Sequence, residues 1–460
     1  MTDLLTTEDA ERPIEDAGRP TDAAGCPTDT ATASRPADNH LFALSDSAAL
    51  LLAETAQTPC FAYRLDVARE RFQSLREALP DRVHLAYAVK SNPGAPLLAE
   101  FAGLGAWFDC ASAGEVAAVR AAKDATRRLA EGRRGEGTAE GGLVFAGPGK
   151  SEADLRAALD TGARIQVDGI EDVQRLAEWH HGPGPLSVNV RVHPLDGVSE
   201  SATIIGGSGP SAFGVDEEDL ADFVTACAHY PSVRITGLQV FSASNELDAA
   251  ALLANHRTAL RIGQRLQGLL GHPIDLIDLG GGLGIPYAAG APELDIGALG
   301  AGLADLLASN GWFTGNLLLE PGRWLSGPTG VYLTRVVRVK QSRGSTFAVL
   351  EGGINHLLRP LMTGQSFPVR AIHTDLGRSL PEPTDPLAAP EQGDERTAYT
   401  LAGPLCTSLD RIGTAELEPL APGDLLIFGQ VGAYGFTQAM TNFLSHPVPD
   451  QYWLGCTVGG

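Results

Sequence analysis

From about residue 58 to residue 328, short apolar runs alternate with stretches of helical apolar spacing. FAYRL (61–65), HLAYAVK (84–90), AWFDCAS (106–112) and LVFAGP (143–148) read as strands. Between them, VARERFQSLREAL (67–79), LLAEFAGLG (97–105), GEVAAVRAA (114–122) and EADLRAALDTG (152–162) repeat apolar residues three and four apart, the mark of amphipathic helices. RIQVDG, LSVNVRV, ITGLQVF, PIDLIDLGGG and GNLLLEPGR are five further strand-like runs. Helical stretches such as EDVQRLAEW (171–179), LADFVTACAHY (220–230) and AAALLANHRTALRIGQRLQGLL (249–270) fall among them. Strands alternating with helices predict an α/β protein with a parallel sheet. About eight such units in about 265 residues predict a (β/α)8 barrel over 61–328 rather than an open sheet.

The texture changes on both sides of this region. After residue 328, GVYLTRVVRVKQS, TFAVLEGG, TAYTLAG and DLLIFGQ are rich in β-branched residues and broken by Gly, Pro and Asp. Residues 329–460 are therefore expected to form a separate β-rich C-terminal domain. Residues 1–40 hold four prolines, many Thr, Asp and Ala and few large apolar residues, the composition of a disordered tail. Residues 41–60 are expected to pack with the β-rich domain. The Gly-rich stretch ATRRLAEGRRGEGTAEGG (125–142) reads as a surface insertion in the barrel.

Composition narrows the function. Hydrophobic residues make up 43% and charged residues 20%, enough apolar surface for a sizeable core. No run of 18 apolar residues occurs, so no membrane-spanning helix is expected. The acidic N-terminus lacks a basic-then-apolar signal pattern. The net charge of −22 argues against nucleic acid as a partner. Six scattered cysteines without a CxxC pair predict neither a metal site nor a disulfide framework, and suit a cytoplasmic protein.

Chemistry-bearing residues recur at predicted strand ends, where barrels carry their chemistry. Lys90 ends HLAYAVK and is either a rim charge or a nucleophile of lowered pKa. Gly280, Gly281, Gly282 and Gly284 follow a strand directly. Such a turn lets backbone N–H groups approach an anion, but the spacing is neither GxGxxG nor a Walker motif. In LLLEPGRWL, Glu320 and Arg323 are either a structural ion pair or ligands of a ring nitrogen and an anion. Cys406 and Asp410 share a turn of AGPLCTSLD, and a lone cysteine is ordinarily inert. Tyr434, in the glycine-flanked loop VGAYGF, either donates to a phosphate or packs.

Their joint order is more specific than any one of them. A strand-end lysine, a glycine turn, Glu-Pro-Gly-Arg, Gly-Pro-x-Cys and Gly-Ala-Tyr-Gly succeed each other, first on a barrel and then on a β-domain. Over about residues 45–447 the chain resembles the pyridoxal-phosphate decarboxylases of alanine-racemase fold, the family of diaminopimelate and ornithine decarboxylases. The resemblance implies pyridoxal 5′-phosphate as cofactor, held covalently by Lys90 of YAVKSN. It implies Asp109 of FDCAS and Arg191 of NVRV beside the cofactor. It implies Ser244, Gly281, Gly282, Arg323 and Tyr434 around the phosphate, and Glu320 facing the pyridine nitrogen. It implies a homodimer with shared active sites, where Cys406 of one subunit, with Asp410 close by, completes the site of the other.

Glu320 favours decarboxylation over racemisation. Losing carbon dioxide leaves charge at Cα, and a protonated pyridine ring takes it up best. A neighbouring carboxylate keeps that ring protonated. Racemases of the fold place an arginine there.

Three positions depart from the family pattern. The stacking histidine is Phe241, in VFSASN. The acidic residue after the cysteine is Thr407, which predicts a substrate without a free distal amine. In EGGINHLLRPLMTG, Arg359 is kept to meet a distal carboxylate or carbonyl, but the tyrosine four residues on is Thr363. CTSLD, FSASN, the glycines of 206–214 and FLSHPVP (443–449) resemble members of secondary metabolism, one of which acts on a glutamyl group tethered to an acyl carrier protein. The expected substrate is thus a modified or carrier-bound amino acid of a specialised pathway. The alternatives are diaminopimelate decarboxylation for lysine and, from another class, a non-catalytic partner-binding homologue.

Overall fold

The computed structural model describes residues 41–131, 141–195, 209–241, 244–374 and 396–455. The proposed tail, part of the 125–142 insertion, Ser242, Ala243 and residues 206–208 of the glycine segment lie outside them.

Among the described residues, seventeen strands form two sheets. The first closes on itself: β2 (Val83–Ala88), β3 (Trp107–Cys110), β4 (Leu143–Phe145), β5 (Arg164–Val167), β6 (Leu186–His193), β8 (Val233–Gln239), β9 (Leu276–Asp278) and β10 (Asn316–Leu319) pair in parallel in that order. Pairing of β10 with β2 shuts the ring, giving the (β/α)8 barrel. The two-residue β7 (Val215–Asp216) hangs on the end of β6. The strands read as continuous apolar runs because helices cover their outer face while side chains fill the inside; LVF and LID, for example, are buried throughout.

The second sheet is mixed and runs β13 (Val369–Ile372), β16 (Leu425–Phe428), β11 (Gly330–Ser342), β12 (Ser345–Leu350), β14 (Thr397–Ala402) and β15 (Arg411–Leu417). Here one expectation is corrected. The run FAYRL does not open the barrel. β1 (Cys60–Arg64) pairs antiparallel with β11 and parallel with β17 (Asp450–Leu454), so it belongs to the second sheet, and the barrel begins with the helix Leu65–Ala78. An apolar pattern reports burial but not which sheet a strand joins. Ahead of β1, the helix Asp46–Thr55 lays Ala49 and Ala53 on a core of Cys60, Ala62, Val331, Leu333, Leu425 and Ile427.

A second correction concerns residues 125–142. The helix that starts at Ala113 runs to Glu131, through the first part of the expected loop. Ala, Arg, Leu and Glu at 125–131 are strong helix formers, and no Gly interrupts before Gly132.

Barrel and β-domain meet at the segment after β2. Asn92 Nδ2 donates to the Gly432 carbonyl (2.9 Å) and its Oδ1 accepts from Gly94 N–H (3.0 Å). Tyr434 N–H donates to the Ser91 carbonyl (2.8 Å). The loop carrying Tyr434 is therefore fixed to the residues that follow Lys90. Among the described residues no helix is long and apolar enough to cross a membrane.

Asn92→Ala removes two buried hydrogen bonds and leaves the Gly432 carbonyl unpaired. We expect a loss of about 2 kcal/mol in denaturant unfolding and weaker cofactor binding, measured by fluorescence titration.

Candidate active site

A cavity of about 370 Å³ opens at the C-terminal ends of the barrel strands. Lys90, Glu115, Phe241, Ser244, Gly281, Gly282, Glu320, Arg323, Arg359 and Tyr434 line it. Lys90 emerges in a single turn after β2, its side chain 40% accessible to the cavity. Its Nζ donates to Asp109 Oδ2 (3.2 Å) at the end of β3. The other oxygen of Asp109 is buried without a partner. The negative charge of Asp109 pushes the Lys90 pKa well up, against the opposite effect of burial, and Glu320 and Tyr434 add to the rise. The lysine is thus held as an ammonium until something else meets those carboxylates' charge.

Beneath it lies a buried polar floor. Glu320, at the end of β10, is 3% exposed. Its Oε1 accepts from Gln239 Nε2 at 3.0 Å, with Gln166 Nε2 at 3.5 Å. Gln166 Nε2 also donates to Asp278 Oδ2 (2.6 Å), and Asp278 Oδ1 accepts from Gly280 N–H (2.9 Å). Burial raises the pKa of Asp278 well above the carboxylate range, and the charge of Glu320 raises it further. Burial and then the Asp109 charge raise Glu320, while Lys90 pulls it down. Sequence reading missed Gln166, Gln239 and Asp278. The available signal was a polar residue inside each apolar run of RIQV, ITGLQ and LIDL. It also missed Glu115, whose Oε2 accepts from Ala111 N–H (2.7 Å) and whose carboxyl burial pushes up.

The glycine turn closes one end. Gly280 and Gly282 have φ of +69° and +96°, which side chains rarely adopt. A Cβ on Gly281 would stand 2.6 Å from the Glu320 carbonyl oxygen. The N–H groups of Gly281 and Gly282 have no acceptor among the described residues. Ser244, Arg323 and Tyr434 face the same cavity end. Arg323 Nη1 donates to the Tyr287 hydroxyl (2.7 Å), and its guanidinium lies 5.0 Å from the Tyr434 ring centre. Free amides, a guanidinium and hydroxyls make an anion site. Phe241 forms a wall, with Lys90 Nζ 5.9 Å from its ring centre.

Four of the candidate residues lie outside this cavity lining. Arg191 does not line the cavity. It lies 3.9 Å from Asp168 Oδ1 and stacks on Phe213 at 4.5 Å. Cys406 is exposed and is also absent from the cavity lining, and Thr407 lies half-buried beside it. Asp410 is buried, and both its oxygens accept backbone N–H groups, from Ile354 (2.8 Å) and Leu405 (2.7 Å). That carboxylate holds the Cys406 turn onto the loop after β12. Arg359 does reach the cavity. Its guanidinium lies 4.8 Å from the Tyr287 ring, Nη2 donates to Gln365 Oε1 (2.8 Å), and its buried Nε has no partner.

A strand-end lysine, a buried acid, an aromatic wall and a glycine-lined anion end fit pyridoxal phosphate. On this barrel and β-domain they define the class as pyridoxal-phosphate enzymes of alanine-racemase fold. A family model described as pyridoxal-dependent decarboxylase, pyridoxal binding domain, matches residues 65–327, and the chain belongs to this family of enzymes. It is 27% identical over 406 residues to the L-glutamyl-[BtrI acyl-carrier protein] decarboxylase of Niallia circulans, covering 86% of this chain and 89% of that one. It is 30% identical over 393 residues to a diaminopimelate decarboxylase of Zymomonas mobilis, covering 83% and 84%. In fold it is similar to diaminopimelate decarboxylase from M. jannaschii in complex with L-lysine, with a TM-score of 0.74 over 88% of this chain and 89% of that one at 22% identity.

Asp278→Asn tests the floor. A carboxyl whose folded pKa is raised costs stability as pH climbs from its unfolded value towards its folded one, because the native state holds the proton longer. The amide has no such penalty, and Gln166 can turn its unpaired Oε1 towards it. We expect the cofactor-free variant to gain in Tm relative to the native protein between pH 4 and pH 8, with no gain at pH 4, by calorimetry.

Proposed function

We propose that this enzyme decarboxylates an amino acid whose distal end carries no free ammonium: a modified or carrier-tethered substrate of a specialised biosynthetic pathway. The observation that carries this reading is Arg359, a buried guanidinium on the cavity lining without a carboxylate partner among the described residues. A carboxylate, amide or thioester carbonyl meets it with a charge-assisted hydrogen bond. A distal ammonium meets repulsion, and Thr407 offers only a neutral hydroxyl. The carrier-specific relative named above supports the same reading.

Bound in this cavity, pyridoxal phosphate supplies the electron sink for the charge left on Cα when carbon dioxide departs. Lys90 would be the amine that holds the cofactor. Glu320, which the charge of Lys90 draws towards its carboxylate form, would favour a proton at the ring nitrogen. The Gly281 and Gly282 amides, Ser244, Arg323 and Tyr434 would hold the phosphate. Phe241 would offer an apolar wall to the ring and, lacking an ionisable group, would take no part in proton transfer. Asp109 orients Lys90.

Protonation of Cα falls to Cys406 of a second subunit. Two features support a homodimer with shared sites. Cys406 stands outside its own subunit's cavity. Of eleven exposed large apolar residues among the described ones, seven lie on the Cys406 turn or on the 359–363 and 440–448 segments: Leu361, Met362, Leu409, Met440, Phe443, Leu444 and Val448. Backbone bonds from Met440 N–H to Ile354, and from Ile354 N–H to Asp410, bring their segments together. An apolar patch of this kind marks a protein interface. Diaminopimelate decarboxylation is the second reading, favoured by the 30% identical relative and by Arg359 itself.

Steady-state kinetics decide between them. We expect turnover of glutamate-derived substrates, including a carrier-bound one, and kcat/KM for meso-diaminopimelate well below about 10⁴ M⁻¹s⁻¹; a value above that assigns the chain to the second reading. Arg359→Ala should raise KM about tenfold or more with little change in the cofactor's absorbance, since it meets only the substrate's far end.

Mixing inactive Lys90→Ala and inactive Cys406→Ala proteins should restore up to about half of the native activity per mixed dimer, because one of its two shared sites is intact. Exchange of subunits without recovery would place the cysteine's action in its own subunit.

A further inference from the structure

The β-domain leaves one sheet face uncovered. Pairing aligns Arg338 (β11), Val349 (β12), Ala402 (β14) and Arg411 (β15) in one row across four strands. The next row is Lys340, Phe347, Thr400 and Thr414. Residues paired across strands share a face, so both rows lie on the same side. The residues between them along the strands, Ala348, Leu350, Tyr399, Leu401 and Ile412, are buried in the core. On the outer face Phe347, Val349, Thr400 and Ala402 are only half-buried, while Arg338, Lys340 and Arg411 are exposed, as is Arg343 in the turn between β11 and β12. The face thus has an apolar centre with cations along β11, in the β11–β12 turn and at the start of β15, while Glu416 stands in the next row along β15.

None of these four cations has a carboxylate partner among the described residues. Arg411 instead lies 5.9 Å from the Phe347 ring. Residues 330–350 contain no acidic residue, in a chain with 56 acidic and 34 basic residues. Sheets often carry lysine on an edge strand to block aggregation. Here the cations instead frame a two-row face, with Arg338 and Arg411 roughly 14 Å apart across it by strand spacing. An acidic chain gains nothing in solubility from such a patch, because each cation brings the net charge nearer zero.

The face adjoins the site. β12 runs into the 351–358 loop and so to Arg359, and β15 begins one residue after Asp410 in the Cys406 turn.

We propose that this face docks an acidic protein that presents the aminoacyl group to the cavity on a flexible arm. Carboxylates on the partner meet Arg338, Lys340, Arg343 and Arg411, and an apolar side chain covers Phe347 and Val349. The proposal rests on the tethered-substrate reading above. On an otherwise acidic surface, the patch steers an acidic partner to this side and away from the rest.

The test compares two substrates: glutamate on the phosphopantetheine arm of an acyl carrier protein, and glutamate on free pantetheine. Arg338→Glu, Lys340→Glu and Arg411→Glu are made singly and together. The expected result is a KM for the carrier-bound substrate raised about tenfold or more by the triple change, with kcat/KM for the pantetheine substrate unchanged. The latter also shows that the variant is folded and loaded. Raising the salt from about 50 to about 500 mM should mimic the effect on the carrier-bound substrate only. Native turnover of both substrates with no effect of the triple change overturns the docking face and leaves the tethered-substrate reading standing. Turnover of neither thioester by the native enzyme overturns that reading, and the docking face with it. A triple variant that sediments as a monomer where the native protein is a dimer assigns the face to a second copy of this chain and overturns the proposal.

Discussion

Everything at the mouth of this barrel depends on how one ammonium and several carboxyl groups share a space that water barely reaches. Asp109, Glu320 and Asp278 are 3% exposed or less, and Lys90 is the cation that donates to Asp109. Isolated charges so deep would cost several kcal/mol each. The structure avoids the cost in two ways. Asp278 keeps its proton, with Gly280 N–H and Gln166 to satisfy its oxygens. Glu320 takes carboxamide donors in place of a second cation. What remains is an incomplete balance, seen in the unpaired oxygens of Asp109, Gln166 and Gln239. Groups left unpaired in a buried site mark where a ligand is meant to complete the set.

That balance explains why barrel and β-domain are bound so closely. Lys90 sits in a one-turn segment whose carbonyls and side chains are tied to the Gly432–Tyr434 loop. Tyr434 itself has φ of +59°, a conformation costly for a non-glycine residue and kept only where the surroundings demand it. The glycines on either side and the bond to Ser91 impose it. Tyr434 and Lys90 are thus positioned by one hydrogen-bonded joint, though 344 positions separate them in the chain.

The sequence made some of this legible and concealed the rest, for physical reasons. Eight strand–helix units were visible because a buried parallel strand is an unbroken apolar run and a covering helix is amphipathic. Lys90, the glycine turn, Glu320 and Arg323 were visible because each ends such a run, where a barrel's rim must lie. FAYRL has the same apolar signature and yet pairs with β11 and β17, since pairing partners leave no mark on local pattern. Gln166, Gln239 and Asp278 looked like interruptions of strands. They are a floor whose meaning appears only when three strands distant in sequence converge. Asp410 looked like a candidate for substrate. In the fold its two oxygens are occupied by backbone N–H groups, a role that depends on a neighbouring loop that sequence spacing cannot bring near.

The polarity of the cavity also limits what can enter it. One end holds Asp109 and Glu320 around Lys90, and the other presents Arg323 and Arg359. Arg359 is a cation that donates to neutral Gln365 and has no carboxylate partner among the described residues. An ammonium 5 Å from it would be opposed by about 3 kcal/mol at an effective dielectric constant of about 20, a factor above one hundred in binding. A carboxylate in the same place would gain by a similar amount, and a neutral carbonyl would gain one hydrogen bond. An acidic residue beside the distal site, as at the position of Thr407, reverses that order. Replacing it with a hydroxyl while keeping the arginine therefore does more than weaken selectivity for diamines. In the proposed dimer it inverts the sign of the field that the far end of the substrate meets, which supports the proposed reading of an acyl rather than an amine end.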